Sequence, residues 1–290
     1  MIPQPFEYHV PKTVAEASQL LAEFGDEGKV LAGGHSLIPL MKFRLAAPEH
    51  IIDIGRIGGL SYIREEGDKI QIGALTTHYQ IESSELLKAK CPLLPQTAVE
   101  IGDPQVRNKG TLGGALAHSD PAADWPATIL ALDAEIHAES TRGDRWIRAQ
   151  DFFLDMLATA LEPDEILTAV KVPVLPAGGG DAYTKLHQPA SGFAVVGVAA
   201  RVVLNASGEI AEVSVGVTGV GSKAYRASGV EETLRGRPAA TKLIAEAASH
   251  AADGVDANSD LFASAEYRRH LASVYTQRAI EKAVERAGKK

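Results

Sequence analysis

This 290-residue chain has one cysteine, Cys91. A single thiol excludes an internal disulfide framework, and it excludes an iron–sulfur cluster held by this chain alone, which takes about four thiolates. Positive charge is also short. Lys and Arg number 29 against 37 Asp and Glu, the formal net charge is −8, and no basic stripe interrupts the mixture. That balance excludes the electrostatic footprint of a nucleic-acid binder. No apolar run approaches the ~20 residues of a membrane span. The first residues, Met1-Ile2-Pro3-Gln4-Pro5-Phe6, lack the basic and apolar regions of a secretory signal. Internal repeats and low-complexity tracts are missing as well. The class left standing is a soluble, intracellular protein of mixed helix and sheet, long enough for one large domain or two modest ones.

Apolar periodicity and turn residues set out the elements. Thr13 and Glu16 have the spacing of a capping box, and Val14, Ala17, Leu21 and Phe24 follow with helical period, which predicts a helix ending at Gly25. Residues 30–32 read as a short buried strand that runs into a tight turn at Gly33-Gly34-His35-Ser36. Residues 51–54 and 69–74 read as strands, and Thr77 as the cap of a helix through Ile81. Helical spacing returns at Leu93, Leu94, Ala98 and Ile101 and stops at Gly102-Asp103-Pro104. A buried helix over 125–132, a hairpin of 134–140 with 145–147 and a strand over 166–172 follow. Residues 173–180 hold two prolines and three glycines and read as a linker, hence a domain boundary. Beyond it, strands over 181–186, 193–204 and 210–218 precede two helices, 241–252 and 265–287. Strands followed by helices predict an antiparallel sheet covered by helices, an α+β layout.

Two glycine pairs carry the chemical interest: Ala32-Gly33-Gly34-His35-Ser36 and Thr111-Leu112-Gly113-Gly114-Ala115. Glycine lets backbone approach a ligand closely and point successive N–H groups at an anion, and Ser36 and Thr111 add hydroxyls. Two such loops on one surface would cradle a diphosphate; as ordinary turns they would do nothing of the kind. Neither matches the dinucleotide fingerprint or the phosphate-loop pattern, and Gly216 to Lys223 reads as a strand end and a bend. His35, His118 and His187 have no partners at ligand spacing, so they read as hydrogen-bonding loop residues rather than metal ligands. Asp103, Asp120 and Asp124 sit at turns, either closing them or binding ribose hydroxyls. Tyr79, Trp125 and Trp146 read as core, and Cys91 as a small buried side chain. No basic cluster is visible at either glycine pair, so backbone dipoles would carry the neutralisation of a bound anion.

The segment Ala32 to Pro39 with Lys42 and Arg44, then Asp103-Pro104-Gln105-Val106-Arg107, then Thr111-Leu112-Gly113-Gly114, closely resembles the FAD-binding medium subunit of molybdenum hydroxylases, the carbon monoxide dehydrogenase and xanthine dehydrogenase flavoprotein family. The resemblance covers essentially the whole chain, and several separated segments match in order. It implies an α+β fold: an FAD-binding domain of the vanillyl-alcohol-oxidase type, itself two subdomains, over 1–176, and the family's C-terminal α+β domain over 177–290. It implies that Ala32, Gly33, Gly34, His35 and Ser36, together with Thr111, Leu112, Gly113, Gly114 and Ala115, wrap the FAD diphosphate, with Leu31, Leu37 and Ile38 flanking the first segment. It implies that Ile101 and Gly102 lie against the flavin or its ribityl chain, that Asp124 binds the adenosine part, that Ile166 packs near the adenine and that Lys185 reaches the flavin end. Phe193 stands where the family has a tyrosine over the isoalloxazine; it keeps the aromatic face and loses the hydroxyl. Where the family often has an asparagine directly after the glycines this chain has Ala115, and His118 is the candidate replacement.

The function implied is electron transfer, with no catalytic acid or base and no metal on this chain. A large partner subunit would oxidise substrate (carbon monoxide, an N-heterocycle or an aldehyde) at a molybdenum centre carried by molybdopterin cytosine dinucleotide. A small partner would hold [2Fe-2S] clusters, and an external acceptor would take the electrons. A dimer of heterotrimers in the cytoplasm is the expected assembly, with peripheral attachment at the inner membrane face left open. The alternatives are a self-contained FAD-dependent oxidoreductase, for which the chain offers no evident base, and a scaffold that has lost FAD. Valine at Gly33 or Gly113 is expected to expel FAD and leave the fold largely intact.

Overall fold

The structure, a computed structural model, describes residues 1–289. The chain begins with β1 (Glu7–His9), α1 (Val14–Phe24), β2 (Gly28–Leu31), α2 (Leu37–Lys42) and β3 (His50–Asp53). The three strands pair in parallel in the order β1-β3-β2. The Thr13 hydroxyl caps α1 by accepting the Glu16 N–H at 3.1 Å. The reciprocal bond of a capping box goes to a different donor, because Glu16 accepts from the Lys12 N–H at 2.7 Å. The helix stops at Gly25, whose φ of +52° is left-handed. Ala17 and Leu21 of α1 are buried against Ile52 and Ile54.

A second unit holds β4 (Ile63–Glu66), β5 (Lys69–Gly73), α3 (His78–Ser83), α4 (Glu85–Lys90), α5 (Leu93–Val99), α6 (Pro104–Arg107), α7 (Leu112–His118), α8 (Asp124–Ala131), β6 (Glu135–Ser140), β7 (Gly143–Arg148), α9 (Ala149–Phe152), β8 (Phe153–Asp155), β9 (Ala158–Thr159) and β10 (Ile166–Pro173). Its antiparallel sheet runs β4-β5-β10-β6-β7, so the last strand inserts in the middle. Ile70, Ile72, Ile136, Val170 and Val172 project from it onto Leu93, Leu94, Leu112, Leu116 and Trp125. Cys91 is part of this core, and burial pushes its thiol up to about 12. Tyr79 and Trp146 depart from the core reading. Both are exposed, and the Trp146 ring carries the Lys171 ammonium 4.3 Å from its centroid.

The remainder is β11 (Gly179–His187), β12 (Ala194–Leu204), β13 (Ile210–Thr218), β14 (Tyr225–Arg226), α10 (Ser228–Leu234), α11 (Thr241–Ala248) and α12 (Ala265–Ala287). The strands form one antiparallel sheet in chain order. The linker reading of 173–180 runs too far, because Gly179 and Gly180 are already paired with Val203 and Val202. Gly180 is there because α12 crosses on top of it: a Cβ would lie 2.0 Å from the Ala283 carbonyl oxygen. On the opposite face α8 packs against β12 and β13, which joins this sheet to the preceding unit.

Candidate functional site

The strand β2 ends at Leu31, and the chain turns through Ala32 to Ser36 into α2. Gly34 takes φ +76°, a left-handed conformation that favours glycine, and a Cβ there would also meet Ile38 at 2.7 Å. The second glycine pair is not a loop. Thr111 is the N-cap of α7, its hydroxyl accepting the Gly114 N–H at 3.2 Å. This difference decides which segment can hold an anion. The N–H groups of Gly33, Gly34, His35 and Ser36 have no acceptor among the described residues. In the second segment those after Thr111 are taken: Leu112 donates to the Thr76 carbonyl at 3.0 Å, Gly113 to that of Ala74 at 2.8 Å and Ala115 to that of Thr111 at 3.0 Å. The symmetric picture of two backbone cradles therefore gives way to one cradle, Gly33 to Ser36, with a helix start beside it.

The glycines themselves serve a different purpose from the one expected. A Cβ at Gly33 would lie 2.2 Å from the Lys109 carbonyl oxygen, and one at Gly113 would lie 2.6 Å from the Ala74 Cβ. They let chain approach chain. Valine at either position would strike packed backbone, which argues that any loss of ligand would come with a loss of stability.

Between the segments lies a cleft of about 330 Å³ lined by Ala32, Gly33, Gly34, His35, Ser36, Leu37, Thr111, Gly113, Gly114, Ala115, His118 and Ile166. An adjoining hollow of about 620 Å³ shares Ala32 to His35 and Thr111 and adds Ile38, Lys42, Asn108 and Lys109. Leu31 touches the turn from behind, 3.3 Å from where a Gly34 Cβ would stand, and Leu112 is wholly buried. The folded chain also corrects the charge reading. Lys42 and Lys109, far apart in sequence, flank the cradle together, and neither has a carboxylate partner among the described residues.

His78 was invisible as a site residue. Its ring lines the cleft, and its Nδ1 accepts the Trp125 indole N–H at 3.1 Å. Burial first, then the nearby His35 and Arg107, lowers its pKa to about 4. The imidazole is therefore neutral at pH 7, with its remaining proton on Nε2, which lies against Gly110.

Five expected residues gather elsewhere, where α8 meets β11. Gly102 abuts Gly192, at 3.9 Å from where its Cβ would be, so Ile101-Gly102 meets the turn before Phe193. Arg107 fixes this corner by donating to the Ile101 and Gly102 carbonyls at 3.1 and 3.2 Å while its Nε pairs with Glu82 at 2.7 Å. Phe193 is 44% exposed and stands at the rim of a hollow with Met156, Gln188 and Phe262. Asp124 and Lys185 do not face the cleft. Their side chains are 5% and 1% exposed and pair at 2.8 Å. Tyr183 donates to Asp124 at 2.6 Å, and Lys185 also donates to the Glu100 carbonyl at 2.9 Å. Burial raises the Asp124 carboxyl, and the Lys185 ammonium pulls it back. As side chains they lock the start of α8 to β11.

The cleft fits a dinucleotide cofactor of the FAD kind. A run of free N–H groups and two unpaired ammoniums suits a diphosphate, and Leu37, Ile166 and Leu167 supply an apolar wall for a ring. Comparison with known proteins points the same way. Residues 4–175 match the model of the FAD binding domain in molybdopterin dehydrogenase, and residues 181–283 that of the CO dehydrogenase flavoprotein C-terminal domain. The chain is 42% identical to the carbon monoxide dehydrogenase medium chain of Afipia carboxidovorans, with 99% of each chain covered. It is 37% identical to the 6-hydroxypseudooxynicotine dehydrogenase complex subunit alpha of Paenarthrobacter nicotinovorans, over 99% of this chain and 97% of that one. Among solved structures, a carbon monoxide dehydrogenase from Hydrogenophaga pseudoflava superposes with a TM-score of 0.96 at 41% identity, covering 99% of both chains. Among the described residues no helix is long and apolar enough to cross a membrane. The chain belongs to the family of FAD-binding medium subunits of molybdenum hydroxylases, oxidoreductases that include carbon monoxide dehydrogenase.

Proposed function

We propose that this chain is the electron-relay subunit of a three-component molybdenum hydroxylase, and that the Gly33–Ser36 cradle holds its FAD. The observation that carries this reading is the run of N–H groups without acceptors beside Lys42 and Lys109. Bound FAD would supply the redox chemistry that accepts electrons from [2Fe-2S] clusters of a small subunit and passes them to an external acceptor. The chain's own residues bind and orient. Gly33 to Ser36 donate to the diphosphate, Lys42 and Lys109 neutralise it, and Leu37 and Ile166 pack against the adenine end. Ile101, Gly102 and the exposed Phe193 ring form the flavin end, at the corner that Arg107 fixes. Substrate oxidation is assigned to a large molybdenum-bearing subunit. Relatives named for carbon monoxide, glyceraldehyde and nicotine align with this chain over nearly its whole length, which supports a choice of substrate made outside it. The boundary between the FAD-binding and C-terminal domains is proposed at 176/177.

The test is the flavin content of the purified complex and of the isolated chain, with the released cofactor identified after denaturation. The double variant Lys42→Ala/Lys109→Ala touches two exposed side chains and should leave unfolding unchanged. Its affinity for FAD should fall about tenfold, or about 1.4 kcal/mol, with the loss shrinking at high salt. FAD missing from the wild-type complex, or an affinity unchanged in the variant, would overturn the assignment.

A further inference from the structure

We propose that Glu7, His9 and His50 form a binding site for a divalent transition-metal ion of the zinc class. The parallel register of β1 and β3 sets Glu7 beside His50. Glu7 and His9 are two apart on one strand, so all three side chains share a face of the sheet. Glu7 and His50 begin their strands, whereas the cleft opens where β2 ends, so the site lies at the opposite end of the sheet from the cofactor.

The donor geometry is that of ligands converging on one point. His9 Nε2 lies 3.1 Å from His50 Nδ1. The Glu7 carboxylate oxygen is 3.6 Å from His50 Nδ1 and 3.9 Å from His9 Nε2. Ligands 2.0–2.2 Å from a shared tetrahedral ion stand about 3.3 Å apart. One His–His hydrogen bond would explain the first distance; it would not bring the carboxylate to both rings. Phe24 holds the rings in place, stacked on His50 at 3.8 Å and 6° and lying 4.9 Å from His9. Glu27 and Glu49 come within 4.8 Å of a donor atom on His50 and add negative charge around it. Two imidazoles and a carboxylate select zinc-like ions over magnesium or calcium, which prefer oxygen. Glu7 is largely exposed, which leaves a fourth position for water. The ion ties the three-residue β1 to β3, so its binding free energy becomes stability of the chain's first segment.

The experiment uses the flavin-loaded full chain, stripped with a chelator and dialysed against Zn²⁺, with bound metal counted by atomic absorption and unfolding followed in parallel. One Zn²⁺ per chain is expected, with a melting temperature that rises with free Zn²⁺. His9→Gln and His50→Gln should each weaken binding at least about tenfold, and Glu7→Gln should weaken it without disturbing packing. His250→Gln, a remote histidine paired with Asp253, should bind as wild type does. Mg²⁺ and Ca²⁺ should not compete. Absence of stoichiometric Zn²⁺ on the wild-type chain overturns the proposal. So does equal binding by wild type and Glu7→Gln, a variant whose exposed position guarantees folded protein for the measurement.

Discussion

At the cleft, the N–H groups of Gly33 to Ser36 and the ammoniums of Lys42 and Lys109 have no partner among the described residues; at the seam between α8 and β11, the side chains of Asp124, Tyr183 and Lys185 pair with one another. Both places hold charged and hydrogen-bonding groups, and both look alike as strings of residues. The first keeps its donors open toward a hollow. The second closes them on one another in a site from which water is excluded. A group left unpaired at the cleft costs little because solvent or a ligand satisfies it, whereas the same group at the seam would bear its full desolvation cost.

The comparison breaks if seam substitutions change cofactor content first. Lys185→Met leaves the Asp124 carboxylate buried and uncompensated, and it should destabilise by about 3–5 kcal/mol, read as a lower midpoint in urea. Adding Asp124→Asn should restore a large part of that loss. A Lys185→Met protein of wild-type stability that has lost its flavin would assign Lys185 to the cleft instead.

The histidine at the back of the cleft sharpens the comparison by pH. His78 titrates near 6.5 when unfolded and at about 4 in the folded chain. Between those values the unfolded state binds a proton that the folded state refuses. Stability therefore falls as pH drops from about 6.5 toward 4, by up to about 3 kcal/mol, and levels off below. His78→Asn keeps an acceptor for the Trp125 indole and should flatten this part of the profile; an unchanged profile would mean that other groups set it.

The smallest effect tests what the glycines are for. Gly33→Val should cost about 1–3 kcal/mol by overpacking against the Lys109 carbonyl, and flavin should be lost together with that stability. Flavin lost at wild-type stability would instead restore the view that the bare backbone exists only for the ligand.

Much of the secondary structure was legible. The strands at Lys69–Gly73, Ile166–Pro173 and Ile210–Thr218 and the long helix Ala265–Ala287 follow from alternation, helical period and turn residues, which act locally. The short helices α2, α6 and α7 were missed. Glycine and proline in them argue against helix locally, and Thr111 and Asp103 cap two of them all the same. The glycine pairs stood out as segments, yet nothing in their sequence separates a free N–H from a paired one. Thr76 and Ala74, whose carbonyls take the N–H groups of Leu112 and Gly113, arrive from the turn after β5. The cationic flank was missed for the same reason: Lys42 and Lys109 become neighbours only when the turn after β2 packs against the segment before α7. Asp124 looked like a turn residue open to a ribose, and only the arrival of β11 with Tyr183 and Lys185 seals it.

The sequence by itself determined the periodic elements and, through motifs that match in order, the family. Tertiary structure alone decided which donors face a ligand and which are closed off. Periodicity is a property of neighbours along the chain, whereas pairing, burial and charge at a site depend on what the fold brings beside them from distant parts of the chain.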